Sequence, residues 1–175
     1  MDETAAIAAS SQQDWSEPDW TREAPRRLWD PSRRLLKSIR DYERLRGRRS
    51  SVGWLRWKWC VLRHRFWSAV SGADIPLNSQ IAGGLLIPHP NGIVVHPDAR
   101  IGPNCLLFQQ VTLGGPVVLG CHVDIGAGAK LLGAICLGDH VRVGANAVVT
   151  HDVPADTTVV GIPARPIDPA REEKK

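Results

Sequence analysis

Nine aliphatic residues stand six positions apart without a gap: Ile101, Leu107, Leu113, Leu119, Ile125, Leu131, Leu137, Val143 and Val149. Four residues after each of the first eight comes a second small or aliphatic side chain: Cys105, Val111, Val117, Val123, Ala129, Ile135, Val141 and Ala147. A period of six fits neither an α-helix nor the alternation of a hairpin meander. It fits short parallel strands joined by tight corners, three to a triangular coil, each inward aliphatic stacked on its counterparts above and below. An earlier set, Ile75, Ile81, Ile87 and Ile93, keeps the period but lies two residues out of phase with Ile101. A two-residue insertion near residues 94 to 100 accounts for the slip.

Such a coil has a thin aliphatic core, and the composition agrees, with only two Phe and one Tyr beside seven Trp. At 175 residues the chain suits one domain with an appendage. The expected division is a disordered arm over 1–22, a helical segment over 23–72, the coil over 73–167 and a charged tail over 168–175. Within the helical segment a pattern starts at Pro25, with Leu28, Leu35, Leu36, Ile39 and Leu45 at three- and four-residue intervals, and Gly47 is its stop. A second helix fits Ser51 to about Val70, followed by Gly72. These helices are placed to cap one end of the solenoid, while the P-A-R-P tail leaves the other.

Residues 26 to 65 hold 14 Lys and Arg against Asp30, Asp41 and Glu43, in a chain whose total charge is +4, so the remainder is net acidic. Basic runs on a helix usually form solvated faces or subunit contacts, and nucleic-acid binding is not expected. The second helix reads W-L-R-W-K-W-C-V-L-R-H-R-F-W, basic and Trp-rich. Because Trp54, Trp57 and Trp59 do not all share one face, packing on the domain or on a neighbouring subunit is expected, not membrane contact. The N-terminal residues lack the basic and apolar regions of a signal peptide, which fits a cytoplasmic protein. Cys60, Cys105, Cys121 and Cys136 show no metal-ligand or paired spacing, so free, mostly buried thiols and no metal site are expected.

The hexad period is the hallmark of the hexapeptide-repeat acyltransferases, which this chain resembles. The resemblance implies a mainly β fold, a left-handed parallel β-helix of hexapeptide repeats with an N-terminal α-helical segment, although ordinary crossovers are right-handed. Within that family the chain looks like serine acetyltransferases over roughly residues 50 to 167. The carrying segments are H-x-x-G-I-V-V from His89, Q-Q-V-T-L-G-G at 109–115, I-G-A-G-A-K at 125–130 and G-I-P-A-R at 161–165. The likeness implies acetyl-CoA as co-substrate with no tightly bound cofactor, and a homotrimer with sites between subunits, a dimer of trimers being left open.

Of the six histidines, His89 matches the family's catalytic base, and Asp74, fifteen residues earlier, matches the aspartate that orients it. An Asp partner fixes the tautomer and stabilises the imidazolium formed when a hydroxyl is deprotonated. The competing reading makes His89 a corner residue. By the same likeness Gly126, Ala127, Gly128 and Ala129 line the pantetheine slot, with Gly114, Ala145 and Arg165 in further matching segments. Lys130 and Arg142 are candidate cations for CoA phosphate, or solvated corner charges. Asn91, Gly92 and His96 are candidates on the acceptor side, and a backbone N–H near Gly92 or Gly114 is the candidate oxyanion donor.

Two departures bear on the acceptor. Serine acetyltransferases carry an aspartate directly before the catalytic histidine, where this chain has Pro88. They also carry an Arg-His pair in a loop after T-L-G-G, whereas here G-G-P-V-V-L-G passes straight into the next hexads. Serine O-acetylation for cysteine synthesis is the leading expectation. O-acetylation of a sugar hydroxyl and a non-catalytic β-helix scaffold are the alternatives.

Overall fold

The computed structural model describes residues 14–46 and 51–167. In chain order the strands are β1 (Gln80–Ile81), β2 (Val94–Val95), β3 (Arg100–Ile101), β4 (Leu106–Leu107), β5 (Thr112–Gly114), β6 (Val118–Leu119), β7 (Asp124–Ile125), β8 (Lys130–Leu132), β9 (Cys136–Leu137), β10 (Arg142–Val143), β11 (Val148–Val149), β12 (Thr158–Val160) and β13 (Arg165–Pro166). They form the three faces of a left-handed parallel β-helix. The first face runs β2-β5-β8-β11, the second β1-β3-β6-β9 and the third β4-β7-β10-β12-β13.

Every hexad aliphatic points inward. Val95, Leu113, Leu131 and Val149 stack under Ile75 on the first face, while Ile101, Leu119 and Leu137 stack on the second and Leu107, Ile125 and Val143 on the third, all buried. The residues four places on, from Cys105 to Ala147, fill the space behind the corners and are buried as well.

The phase slip lies elsewhere than expected. The pairings Gln80↔Arg100 and Leu86↔Leu106 span twenty residues, whereas Val94↔Thr112 and Arg100↔Val118 span eighteen. The two extra residues therefore sit between Leu86 and Val94, at residues 88–92, and not at 94–100. Ile93 imitated a hexad position because it is aliphatic and fully buried, but it is the counterpart of Val111, behind the corner, and Val95 is the hexad residue. A second break had no visible signal: Leu137↔Val153 and Val143↔Val159 span sixteen residues, so the last coil is two residues short around 150–152.

Helix α1 (Pro31–Leu45) and helix α2 (Ser51–Ser71) precede the coil. Helix α1 begins at Pro31, six residues after the expected start, because proline suits the first helical position, where no N–H donor is needed. The expected stop, Gly47, lies outside the described residues. Helix α2 matches its expected span and ends at Gly72, whose φ of +66° and N–H bond to the Ser68 carbonyl form a left-handed cap. Leu35, Leu36 and Ile39 of α1 and Trp67 of α2 join Ala73 and Ile75 in one core, so the helices close that end of the prism. At the other end the chain doubles back, pairing β13 antiparallel to β12 and burying Ala164.

The end of the expected disordered arm is held against the coil. The Asn104 side chain is buried, donates to the carbonyls of Trp15 (2.9 Å) and Glu17 (2.7 Å), and accepts from the Asp19 N–H (2.8 Å). The Trp15 ring stacks on His122, 3.7 Å between centroids. Next, Glu23 and Arg40 of α1 form a buried bidentate pair, and the same guanidinium donates to the carbonyls of Ile81 (2.7 Å) and Ala82 (2.8 Å). No helix among the described residues is long and apolar enough to cross a membrane.

Candidate active site

The two extra residues give the third-to-first edge of the prism one corner unlike the others. Lower corners have three residues between inward positions: Phe108 to Gln110, Gly126 to Gly128 and Gly144 to Asn146. The top corner has five, Pro88-His89-Pro90-Asn91-Gly92. Its last residue continues the stack: Gly92, Gln110, Gly128 and Asn146 all have φ between +57° and +74°. Corner-to-corner bonds run from the Gly92 N–H to the Gly72 carbonyl (2.8 Å), Gln110 to Asn91 (2.9 Å), Gly128 to Gln109 (2.9 Å) and Asn146 to Ala127 (2.8 Å).

His89 stands exposed in the extra length. Pro90 after it restricts its backbone to extended conformations, and Pro88 before it fixes its own φ, so the imidazole is displayed from a stiff mount. Asp74 lies on the adjoining first face, where the pairings Asp74↔Val94, Val94↔Thr112 and Thr112↔Lys130 put it in one outward column with Lys130. Among the described residues no hydrogen bond or ion pair joins Asp74 to His89. Beneath Asp74, the buried His64 donates from Nε2 to the Ile75 carbonyl (2.9 Å). Burial pushes the His64 pKa below its usual value, against the opposing pull of the Ile75 hydrogen bond and the Asp74 carboxylate.

Most residues singled out from sequence gather here. Asn91, Gly92, Gly126, Ala127, Gly128 and Ala145 lie on the edge itself. Lys130 lies on the first face, its ammonium donating to the Gln110 carbonyl (2.6 Å), while Arg142 and Arg165 lie on the third, in β10 and β13. Ala129 contributes backbone alone, since its methyl is fully buried in the core. Backbone packing explains the small residues at the Gly126 corner: a Cβ at Gly126 would meet the Ala145 nitrogen at 2.7 Å, and one at Gly128 the Asn146 Oδ1 at 2.2 Å. His96 and Gly114 fall on the next edge, one strand away, where the His96 N–H bonds to the Leu113 carbonyl and Nδ1 accepts from the Asp98 N–H (3.2 Å).

Sequence reasoning assigned no role to Gln109, although it opens the quoted Q-Q-V-T-L-G-G segment. Its Oε1 is buried at this edge with no hydrogen-bond partner among the described residues. The run after T-L-G-G forms an ordinary rung from Leu113 to Leu119, with no loop.

This arrangement sets an exposed imidazole at one end of an edge whose adjoining faces carry Asp74, Lys130, Arg142 and Arg165. No family model matches the sequence. Among curated proteins, the serine acetyltransferase of Synechococcus elongatus is 43% identical over 106 residues, covering 56% of this chain and 43% of that protein. The Helicobacter pylori serine acetyltransferase is also 43% identical over 106 residues, covering 56% of this chain and 62% of its own length. The chain thus spans roughly half the length of the curated relatives it matches. Among solved structures, soybean serine acetyltransferase complexed with serine superposes with a TM-score of 0.68 at 34% identity, over 80% of this chain and 58% of that one. A serine acetyltransferase complex with CoA gives 0.67 at 32%, over the same 80% and 58%. In its β-helix sequence and in its fold, the chain is similar to serine acetyltransferases.

Proposed function

We propose that this protein is an acetyl-CoA-dependent serine O-acetyltransferase, with His89 as the general base. The observation that carries the reading is the position of His89: it occupies the one lengthened corner of an edge whose lower corners, Gly126-Ala127-Gly128 and Gly144-Ala145-Asn146, are built of small residues. His89 takes the proton of the acceptor hydroxyl as its oxygen attacks the thioester carbonyl. The C–O bond forms, the C–S bond of the tetrahedral adduct breaks, and the departing thiolate takes the proton from the imidazolium. No acyl-enzyme is needed: the buried Cys105 thiol is pushed up to about 12 by burial, far from a nucleophile's range.

Asp74 is proposed to steady the imidazolium and a backbone N–H near Gly92 or Gly114 to hold the oxyanion, the N–H of Gly92 itself being bonded to the Gly72 carbonyl (2.8 Å). Lys130, Arg142 and Arg165 would hold phosphate. The reading includes a cytoplasmic homotrimer in which a neighbouring prism closes the site.

One observation favours a second acceptor. With an ordinary rung from Leu113 to Leu119 and Pro88 before His89, residues 115–119 hold no counterpart of the arginine that the resemblance places after T-L-G-G. A sugar hydroxyl needs no such arginine. The experiment follows CoA release from acetyl-CoA with L-serine or with a panel of sugars, using wild type and His89→Ala. Serine-dependent release that falls by about 10²-fold or more in the variant supports the reading. Release with sugars alone moves the acceptor to carbohydrate, and release untouched by the variant removes His89 from the mechanism.

A further inference from the structure

Helix α2 carries two unlike apolar sides. Cys60, His64 and Trp67 face the core and are buried, whereas Leu55, Trp59, Leu62 and Phe66 remain 65%, 62%, 59% and 52% exposed. Their spacing of four, three and four places them in one stripe along the outer side. By the same geometry Lys58 and Arg65 flank the stripe on one side and Arg56 and Arg63 on the other. Helix α2 contains no Asp or Glu. The stripe continues beyond the helix, because Phe66 and Trp29 both pack edge-on against Trp67, bringing in the exposed Trp29 and, next to it, Leu28 at 88%. A cleft of about 930 Å³ between α1 and α2 opens beside it, lined by Leu45, Leu55 and Trp59 together with Arg44, Arg56 and the Asp41–Arg63 ion pair.

We infer that α2 docks this face on an anionic phospholipid surface, lying in the plane of the headgroups. An interfacial helix needs a ridge of Trp, Phe and Leu to enter the acyl boundary and cations on both flanks to meet phosphate, and α2 has this pattern. The cleft adds an apolar recess with guanidinium groups, suited to an acyl chain with an acidic head. Charge disfavours face-to-face pairing of two copies: the α2 stripes would oppose rows of like charge, and the nearby Asp41 of α1 is already paired with Arg63. Shape disfavours a rigid protein groove, since the apolar residues form an exposed ridge with cations on both sides. The inference concerns a surface remote in role from acetyl transfer, and its readout is partition, so it stands or falls apart from the proposed activity.

The test is co-sedimentation of the full chain with vesicles of phosphatidylcholine, alone or mixed with phosphatidylglycerol, alongside sedimentation velocity without vesicles. Binding to the mixed vesicles is expected to exceed that to phosphatidylcholine by about tenfold or more and to weaken in about 0.5 M salt. Because the stripe is exposed, Trp59→Ser/Leu62→Ser/Phe66→Ser keeps the fold, checked by its thermal melt, and is expected to lose binding about tenfold. Lys58→Glu/Arg65→Glu is expected to lose the preference for anionic vesicles. Absence of binding to mixed vesicles in low salt overturns the inference. So does binding that the stripe variant retains, which would be charge adhesion alone. A concentration-dependent assembly broken by the stripe variant, without vesicle binding, assigns the face to a second copy and equally overturns it.

Discussion

Removing the Glu23 carboxylate tests how the N-terminal segment is joined to the coil. Glu23 accepts from Arg40 Nε (3.0 Å) and Nη2 (2.9 Å) and from the Leu85 N–H (3.1 Å), and it is 6% exposed. In Glu23→Ala the guanidinium keeps Glu43 and the carbonyls of Ile81 and Ala82, but loses its bidentate partner, and the buried Leu85 N–H is left without an acceptor. Breaking a buried pair costs about 3–5 kcal/mol, and the retained Glu43 contact argues for the lower end, about 3 kcal/mol. With a urea m-value of about 2 kcal/mol/M, the midpoint falls by about 1.5 M at unchanged slope. Adding Arg40→Met removes the stranded cation, so the double variant is expected to lose less than the sum of the singles, by about 1 kcal/mol or more. A midpoint shift below about 0.3 M in Glu23→Ala, or full additivity, would refute the argument that this pair fastens three segments together.

Burial lowers the pKa of both His64 and His122, with the nearby His140, Arg22 and Arg142 adding to the effect at His122. An unfolded histidine titrates near 6.5, so below about that pH the unfolded chain binds protons that the folded chain does not, and stability falls as pH drops; above it these groups contribute no slope. Urea midpoints at successive pH values are expected to show this fall, and His122→Gln, which cannot titrate, should show a shallower one. Of the cysteines, Cys136 is exposed and Cys105 buried, so a thiol reagent is expected to label Cys136 in the native protein and Cys105 only after unfolding, as read by mass spectrometry of peptides.

The coil was legible because its repeat writes one inward residue into every sixth position, and packing in a thin prism tolerates little else. The slip at the first turn was visible too, but its location was not: Ile93 and Val95 are both buried aliphatics, and only the strand pairing shows which one faces its counterparts on the first face. The short last coil left no trace, since Val153 lies four residues after Val149, the spacing of the ordinary second set. Tertiary position was equally hidden for the tryptophans of α2. Trp57 packs near Tyr42 and Trp54 is exposed outside the stripe, while Trp59 joins Leu55, Leu62 and Phe66 in it. The arm's docking depends on Asn104, one buried amide with three backbone partners, which no local pattern announces.

The lengthened corner can be tested as the cause of the site. Eighteen-residue turns lock each corner to the next by backbone hydrogen bonds, leaving no slack for a projecting side chain. Two added residues supply that slack, and Pro90 supplies it without stranding a donor, since proline has no N–H. Deleting His89 and Pro90 leaves Pro88-Asn91-Gly92, a three-residue corner matching Phe108-Gln109-Gln110, with Gly92 already at the positive φ that Gln110 adopts. The bonds from Gly92 to Gly72 and from Gln110 to Asn91 can persist. The Ile93 N–H loses the Pro90 carbonyl (3.2 Å), but Pro88 then stands three residues before it, as Gly126 stands before Ala129, so stability is expected within about 1 kcal/mol of wild type. Acetyl transfer is expected to fall to the level of His89→Ala. A deletion that unfolds the protein would mean that the five-residue corner supports the coil, and that its length serves packing rather than the display of an imidazole.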